Sequence, residues 1–165
     1  ECKINITING NNNNVNIDNK TINNNYFIIN PYNSSNYKFM KDKINECIDS
    51  KGNLDVSKLL EIAHCNEEYP ENHNVYIENK NSKFLMVYNG DKFEIKGNGN
   101  NGIEKLMSSF GKKLYKEFGD ERCEEMMKYY KMVPFPLKKQ IRDKVFNIMV
   151  NSKDLITNSH EDGDL

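Results

Sequence analysis

At 165 residues the chain has room for one ordinary domain with an appended segment, and its 37% hydrophobic and 10% aromatic content supplies a core while leaving much of the chain outside it. A formal net charge of −1 excludes the global basic field that draws a whole protein onto nucleic acid. No apolar run approaches the ~18 residues of a membrane span, the start lacks the basic-then-apolar pattern of a secretory signal, and a first residue of Glu points to a piece of a longer protein.

The opening text, ECKINITINGNNNNVNIDNKTINNNYFIIN, alternates Ile4, Ile6 and Ile8 with polar partners, then Val15 and Ile17, then Phe27 and Ile29. A period of two predicts strands, and NGNNNN predicts a turn between the first two. One hairpin this thin cannot bury a core alone. It is expected either to lie along the rest of the domain or stay partly disordered or, as the leading reading, to pair across chains, because Asn-rich edges with β-branched residues template such pairing. Of 28 asparagines, 25 fall at or before Asn101, so the first part of the chain is turn-rich as well.

From Tyr37 the period becomes helical. Phe39, Met40, Ile44, Cys47 and Ile48 predict one helix ended by Lys51-Gly52-Asn53, and Val56, Leu59, Leu60 and Ala63 predict a second with Asp55 near its start. Pro70 stops that helix upstream, since it lacks an amide donor and biases Tyr69 away from helical angles. Val75 and Ile77, Leu85 and Val87, and Phe93 and Ile95 then predict a three-stranded antiparallel meander. ENKNS makes its looser first turn, and Asn89-Gly90 a tight second turn with both residues at positive φ. KGNGNNG reads as a linker. Beyond it Ile103, Leu106, Met107, Phe110, Leu114 and Phe118 form an apolar helical stripe ended by Gly119. A further helix buries Cys123, Met126, Met127 and Tyr130. A last one, with Pro136 in its first turn, buries Leu137, Ile141, Val145, Ile148 and Met149. The expected class is therefore α+β: a β-rich segment at 1–30, a compact domain at 36–157 and a polar, disordered tail at 158–165.

Two groups of residues offer chemistry. His64, Cys65, Glu67, Glu68, Glu71 and His73 bring imidazole, thiol and carboxylate into a short span, and zinc or manganese accepts such ligands. His64 and Glu68 would share a helix face only if the helix ran past His64. Pro70 breaks that geometry and no known metal spacing fits, so no metal or cofactor is expected. The rings are instead expected to bond backbone carbonyls and lock the entry to the first strand of the meander. A His-Asn-His nuclease is disfavoured, because no histidine lies between His73 and His160. Four cysteines without paired spacing (Cys2, Cys47, Cys65, Cys123) read as free thiols of a reducing compartment. The second group is basic. From Ile103 to Val150, eleven Lys or Arg face seven Asp or Glu. Lys112, Lys113 and Lys116 on the first long helix, and Lys138, Lys139, Arg142 and Lys144 on the last, are candidates to touch phosphates or an acidic partner, although a solvated polar face is the preferred reading of the same residues.

The stretch IAHCNEEYPENHNVYIENKNSKFLMVYNGDKFEI resembles a module found at the C-terminus of proteins of giant DNA viruses of the mimivirus type. The similarity lies in His64, Asn66, Pro70, Glu71, Asn72, His73, Asn74, Tyr76, Ile77, Val87, Tyr88 and Gly90, with Cys65 where that family has Phe and Phe93 where Trp is common. The alternating N-terminus and the closing helix fit the same layout. The resemblance implies a viral, intracellular protein acting in the cytoplasm (virus factory) or nucleus of an infected cell, with a zinc-finger or coiled-coil segment before it. It brings no catalytic residue. Together these readings predict a non-enzymatic oligomerisation and interaction module, an adjunct to a DNA-binding protein. Direct nucleic-acid binding through the basic helices and a metal-dependent enzyme at His64 and His73 are the alternatives.

Overall fold

The computed structural model describes residues 13–17, 20–24 and 29–155. Its first strands, β1 (Asn13–Ile17) and β2 (Lys20–Asn24), pair antiparallel with Val15 opposite Ile22, and no other described strand joins them. Asn13 and Asn14, expected in a turn, are therefore strand residues. Val15, Ile17, Thr21 and Ile22 are β-branched, residue types enriched in strands. The expected strand at 4–8 and the polar tail at 158–165 lie outside the described residues. Ile29, expected at the end of a strand, is buried in irregular backbone.

The packed body begins with an arm, 29–37, upstream of the boundary expected at 36. It carries a 3-10 turn at Tyr32–Ser34 and buries Ile29, Tyr32 and Tyr37. The helix expected next is two 3-10 turns instead, Lys38–Lys41 and Ile44–Cys47. Neither has a side-chain N-cap, and a ten-residue helix is marginal without one. Spacings of three and four serve both kinds of turn, so Met40, Ile44 and Cys47 still reach the core, while Ile48 is left exposed beside its bridge to Leu54. Helix α1 (Val56–His64) follows. The Asp55 carboxylate caps it by accepting from the Ser57 and Lys58 amides at 3.0 and 3.2 Å, and its apolar stripe is buried as the spacing predicted.

Strands β3 (Val75–Ile77), β4 (Phe84–Tyr88) and β5 (Phe93–Asn98) form the meander in that order. The β4–β5 turn departs from expectation, for Asn89 keeps an ordinary φ and only Gly90 is positive, at 108°. Four residues separate the strands, and the Asn89 side-chain oxygen accepts from the Asp91 and Lys92 amides at 2.8 and 2.9 Å, closing the loop by side chain rather than by φ. A bulge follows in β5: Leu85 pairs with Gly97 and Met86 with Ile95, so Lys96 has no partner across the ladder.

KGNGNNG is not a linker. β5 runs through Gly97 to Asn98, and α2 (Gly99–Phe118) starts at the next residue. A Cβ at Gly97 would stand 2.6 Å from the Gly102 Cα, so strand and helix meet backbone to backbone where only glycine fits. Gly119, at φ 65°, ends α2 as expected. Helices α3 (Glu121–Met132) and α4 (Phe135–Asn151) complete the fold. α2 lies on β4, β5 and α3, while α4 packs against α1, α2 and β3. One core runs through α1, β3, β4 and α2 to α4, although β5 buries no residue in it and α4 commits only Val145 and Met149 fully.

Candidate functional site

The Pro70–Asn74 corner is built from α1 outward. α1 stops at His64, so Glu68 does not stack one turn above it, and Glu67 and Glu68 face solvent. His64 is fully buried among the rings of Tyr32, Tyr37 and Phe110, whose centroids lie 5.5–5.7 Å away. Its Nδ1 lies 3.0 Å from the Asn72 carbonyl, an acceptor only, so Nδ1 carries the proton and donates. Nε2 is then the acceptor, and the Tyr37 hydroxyl donates to it at 3.1 Å. Burial pushes the imidazole pKa down to about 4, so it is neutral at pH 7. A metal would have to displace Tyr37 to reach that lone pair.

Downstream of His64 the corner is a set of fasteners. The buried Asn72 side chain pairs with the backbone of Asn36, donating to its carbonyl at 2.6 Å and accepting from its amide at 3.0 Å. The buried Asn74 side-chain amide donates to the Asn30 carbonyl at 3.0 Å and the Ser35 hydroxyl at 2.8 Å, while the Asn74 backbone carbonyl accepts from the Tyr88 amide at 2.9 Å. The Glu71 carbonyl accepts from the Asn30 amide at 2.8 Å. His73 Nε2 donates to the Asn66 carbonyl at 2.9 Å, and the Asn66 side chain accepts from the Glu68 amide. Burial also holds His73 below its ordinary pKa, and its Nδ1 has no hydrogen-bond partner. The Asn72, Asn74 and Glu71 bonds join the corner to the 29–37 arm and to β4, while the His73 and Asn66 bonds close the loop that follows α1. Among the described residues no group of three or more His, Cys, Asp or Glu is arranged to hold a metal.

The lysines divide. On α2, Lys105, Ser108, Ser109, Lys112 and Lys116 line one shallow furrow with Lys113, at helical spacings of three and four. Lys105, Lys112 and Lys116 are exposed. Lys113 is turned inward: its ammonium donates to the Tyr32 carbonyl and sits 3.4 Å from the Tyr32 ring centroid, and burial brings its pKa down to about 8. On α4 the group does not form one free face. Arg142 is drawn in to Glu104 at 3.3 Å with its side chain 11% exposed, and Lys138 donates to the Lys131 carbonyl at 3.0 Å, whereas Lys139 and Lys144 are exposed. The contiguous basic surface is thus on α2. Lys105, Ser108 and Ser109 belong to it, though the sequence reading missed them. The signal was present in their spacing back from Lys112, on the polar side of the same helix whose apolar side was read.

Beside the furrow, and sharing Lys105 and Ser109 with it, lies a groove of about 530 Å³ between the arm, β4 and α2. Leu85, Val87, Leu106 and Pro31 give it apolar walls, and Lys96 from the bulge and Lys105 stand in its lining.

The fold and this corner define an α+β domain whose histidines hold backbone in place. None of the protein-family models, curated proteins or solved structures compared with the chain matches it.

Proposed function

We propose that the chain is a non-enzymatic oligomerisation and interaction module, the intracellular viral adjunct to a DNA-binding segment that its sequence resemblance implies. The observation that carries this reading is the β1–β2 hairpin, which no other described strand joins. A two-stranded hairpin is marginal in water, and its unpaired edges are templates for strands of another copy. The histidine corner supports the same reading, since both His64 nitrogens are spent on Asn72 and Tyr37. Met132 and Phe135, 83% and 68% exposed where α3 meets α4, add an apolar spot of the kind interfaces use.

Light scattering on the full chain and on a chain lacking residues 1–28 tests it. An oligomer that becomes a monomer on truncation is expected, and a monomeric full chain overturns the proposal. Stoichiometric zinc or manganese in the purified protein, lost in His73→Ala, would assign an enzyme instead.

A further inference from the structure

We propose that the groove between the 29–35 arm, β4 and α2, together with the lysine furrow along α2, is one binding site for single-stranded nucleic acid. A base enters the groove, and successive phosphates lie on Lys105, Lys112 and Lys116.

Four observations lead there. The groove, at about 530 Å³, falls within the ~300–1,000 Å³ of small-molecule pockets and has apolar walls. Asn33, Ser34 and Ser109 also line it, so polar side chains stand beside those apolar walls. The β5 bulge frees Lys96 from the ladder and brings it to the groove, where it is shared with Glu94 at 2.8 Å. Finally, groove and furrow meet at Lys105 and Ser109, so apolar cleft and cationic track are continuous.

The form of the site selects among anions. From Lys105 to Lys116 the track covers about 16 Å of helix, more than the phosphate of one nucleotide occupies, and this favours a strand over a free nucleotide. A duplex keeps its bases stacked and cannot offer one to the groove. An acidic peptide would satisfy the lysines, but a base, with an apolar face and a polar edge, also matches a groove that sets Asn33, Ser34 and Ser109 beside apolar walls. Ser108 and Ser109 stand between the lysines as hydroxyl donors to phosphate oxygens.

Fluorescence anisotropy of a labelled oligothymidylate with the full chain provides the test. With about three phosphates neutralised, the salt slope is about 2, and affinity falls roughly 20-fold between 50 and 200 mM salt. Replacing Lys105, Lys112 and Lys116 together by Gln weakens binding at least tenfold, while Lys139→Gln with Lys144→Gln changes it less than twofold. Ser109→Leu, which fills the groove, weakens binding as well. Should Ser109→Leu unfold, protection of Lys96 and Lys105 from acetylation by bound oligonucleotide reports the same contact. No binding at 50 mM salt, equal loss in the α4 variant, no effect of filling the groove or no such protection, or equal affinity for thymidine monophosphate, duplex or polyglutamate would each overturn the assignment. The oligomer measured by light scattering is a separate readout, so either proposal can fail alone.

Discussion

Replacing His64 by Phe separates the corner's hydrogen bonding from its packing. The ring stays among Tyr32, Tyr37 and Phe110, but the Asn72 carbonyl loses its donor and the Tyr37 hydroxyl its acceptor. Each buried group left unsatisfied costs about 1–3 kcal/mol, so we expect a loss of about 3 kcal/mol, a large part of the ~5–15 kcal/mol of an ordinary domain. In urea, with a slope of roughly 1.5 kcal/mol/M, the midpoint falls by about 2 M. The chain has no tryptophan, so far-UV circular dichroism and tyrosine fluorescence supply the two probes. Adding Tyr37→Phe to His64→Phe removes the orphaned hydroxyl, and the double variant should lose less than the sum of the single losses. Strict additivity, or a His64→Phe protein within 0.5 kcal/mol of the parent, would refute the reading of His64 as the buried fastener of the arm.

The same residue sets a pH dependence. The unfolded chain binds a proton at His64 near pH 6.5 and the folded chain only near pH 4, so stability is full above pH 6.5 and falls by about 3 kcal/mol as pH drops to 4. His73, shifted in the same direction, adds to the fall, and urea midpoints from pH 7 to pH 4 should show a shallower slope in His64→Phe. Gly97→Ala places its new carbon 2.6 Å from backbone while Gly102→Ala meets atoms at 3.1 Å and beyond, so Gly97→Ala should be the worse of the two, by about 1–3 kcal/mol in thermal melts. Burial pushes the Cys65 and Cys123 thiols up to about 11 and raises that of Cys47; native labelling with N-ethylmaleimide at pH 7, read by mass spectrometry, should leave these three largely unmodified until the chain is unfolded. Asp55→Ala removes the cap of α1 and should cost about 0.5–2 kcal/mol.

What could be read in the sequence follows from how far apart the partners lie. Stripes such as Val56, Leu59, Leu60 and Ala63, or Ile103 through Leu114, declare themselves because the helix brings residues three and four apart onto one face. The meander was legible for the same reason, with a period of two. Lys38 to Cys47 was misassigned because short 3-10 turns and an α-helix share those spacings, and no local signal distinguishes them. KGNGNNG was misread because glycine marks both flexibility and close approach. Which one applies depends on Gly97 meeting Gly102 across a strand-to-helix junction, and composition does not encode that meeting.

The asparagines show the limit most clearly. Asn36, Asn66, Asn72, Asn74 and Asn89 sit in the same Asn-rich text, but they do not all do the same work. Asn66 and Asn89 close their own loops with bonds two or three residues away, which turn propensity anticipates. Asn72 and Asn74 are wholly buried, and their side chains reach 36 to 44 residues back to hold the arm. A carboxamide can do this because it presents a donor and an acceptor side by side, as the backbone does, so Asn72 pairs with Asn36 as a strand neighbour would. Aspartate at 72 keeps the acceptor, loses the donor and buries a charge, while alanine loses both bonds and leaves a space. The arm so held carries Tyr32, and Tyr32 forms part of the groove against α2. The corner therefore acts on any ligand at a distance: loosening Asn72 should open the groove without touching a residue that lines it.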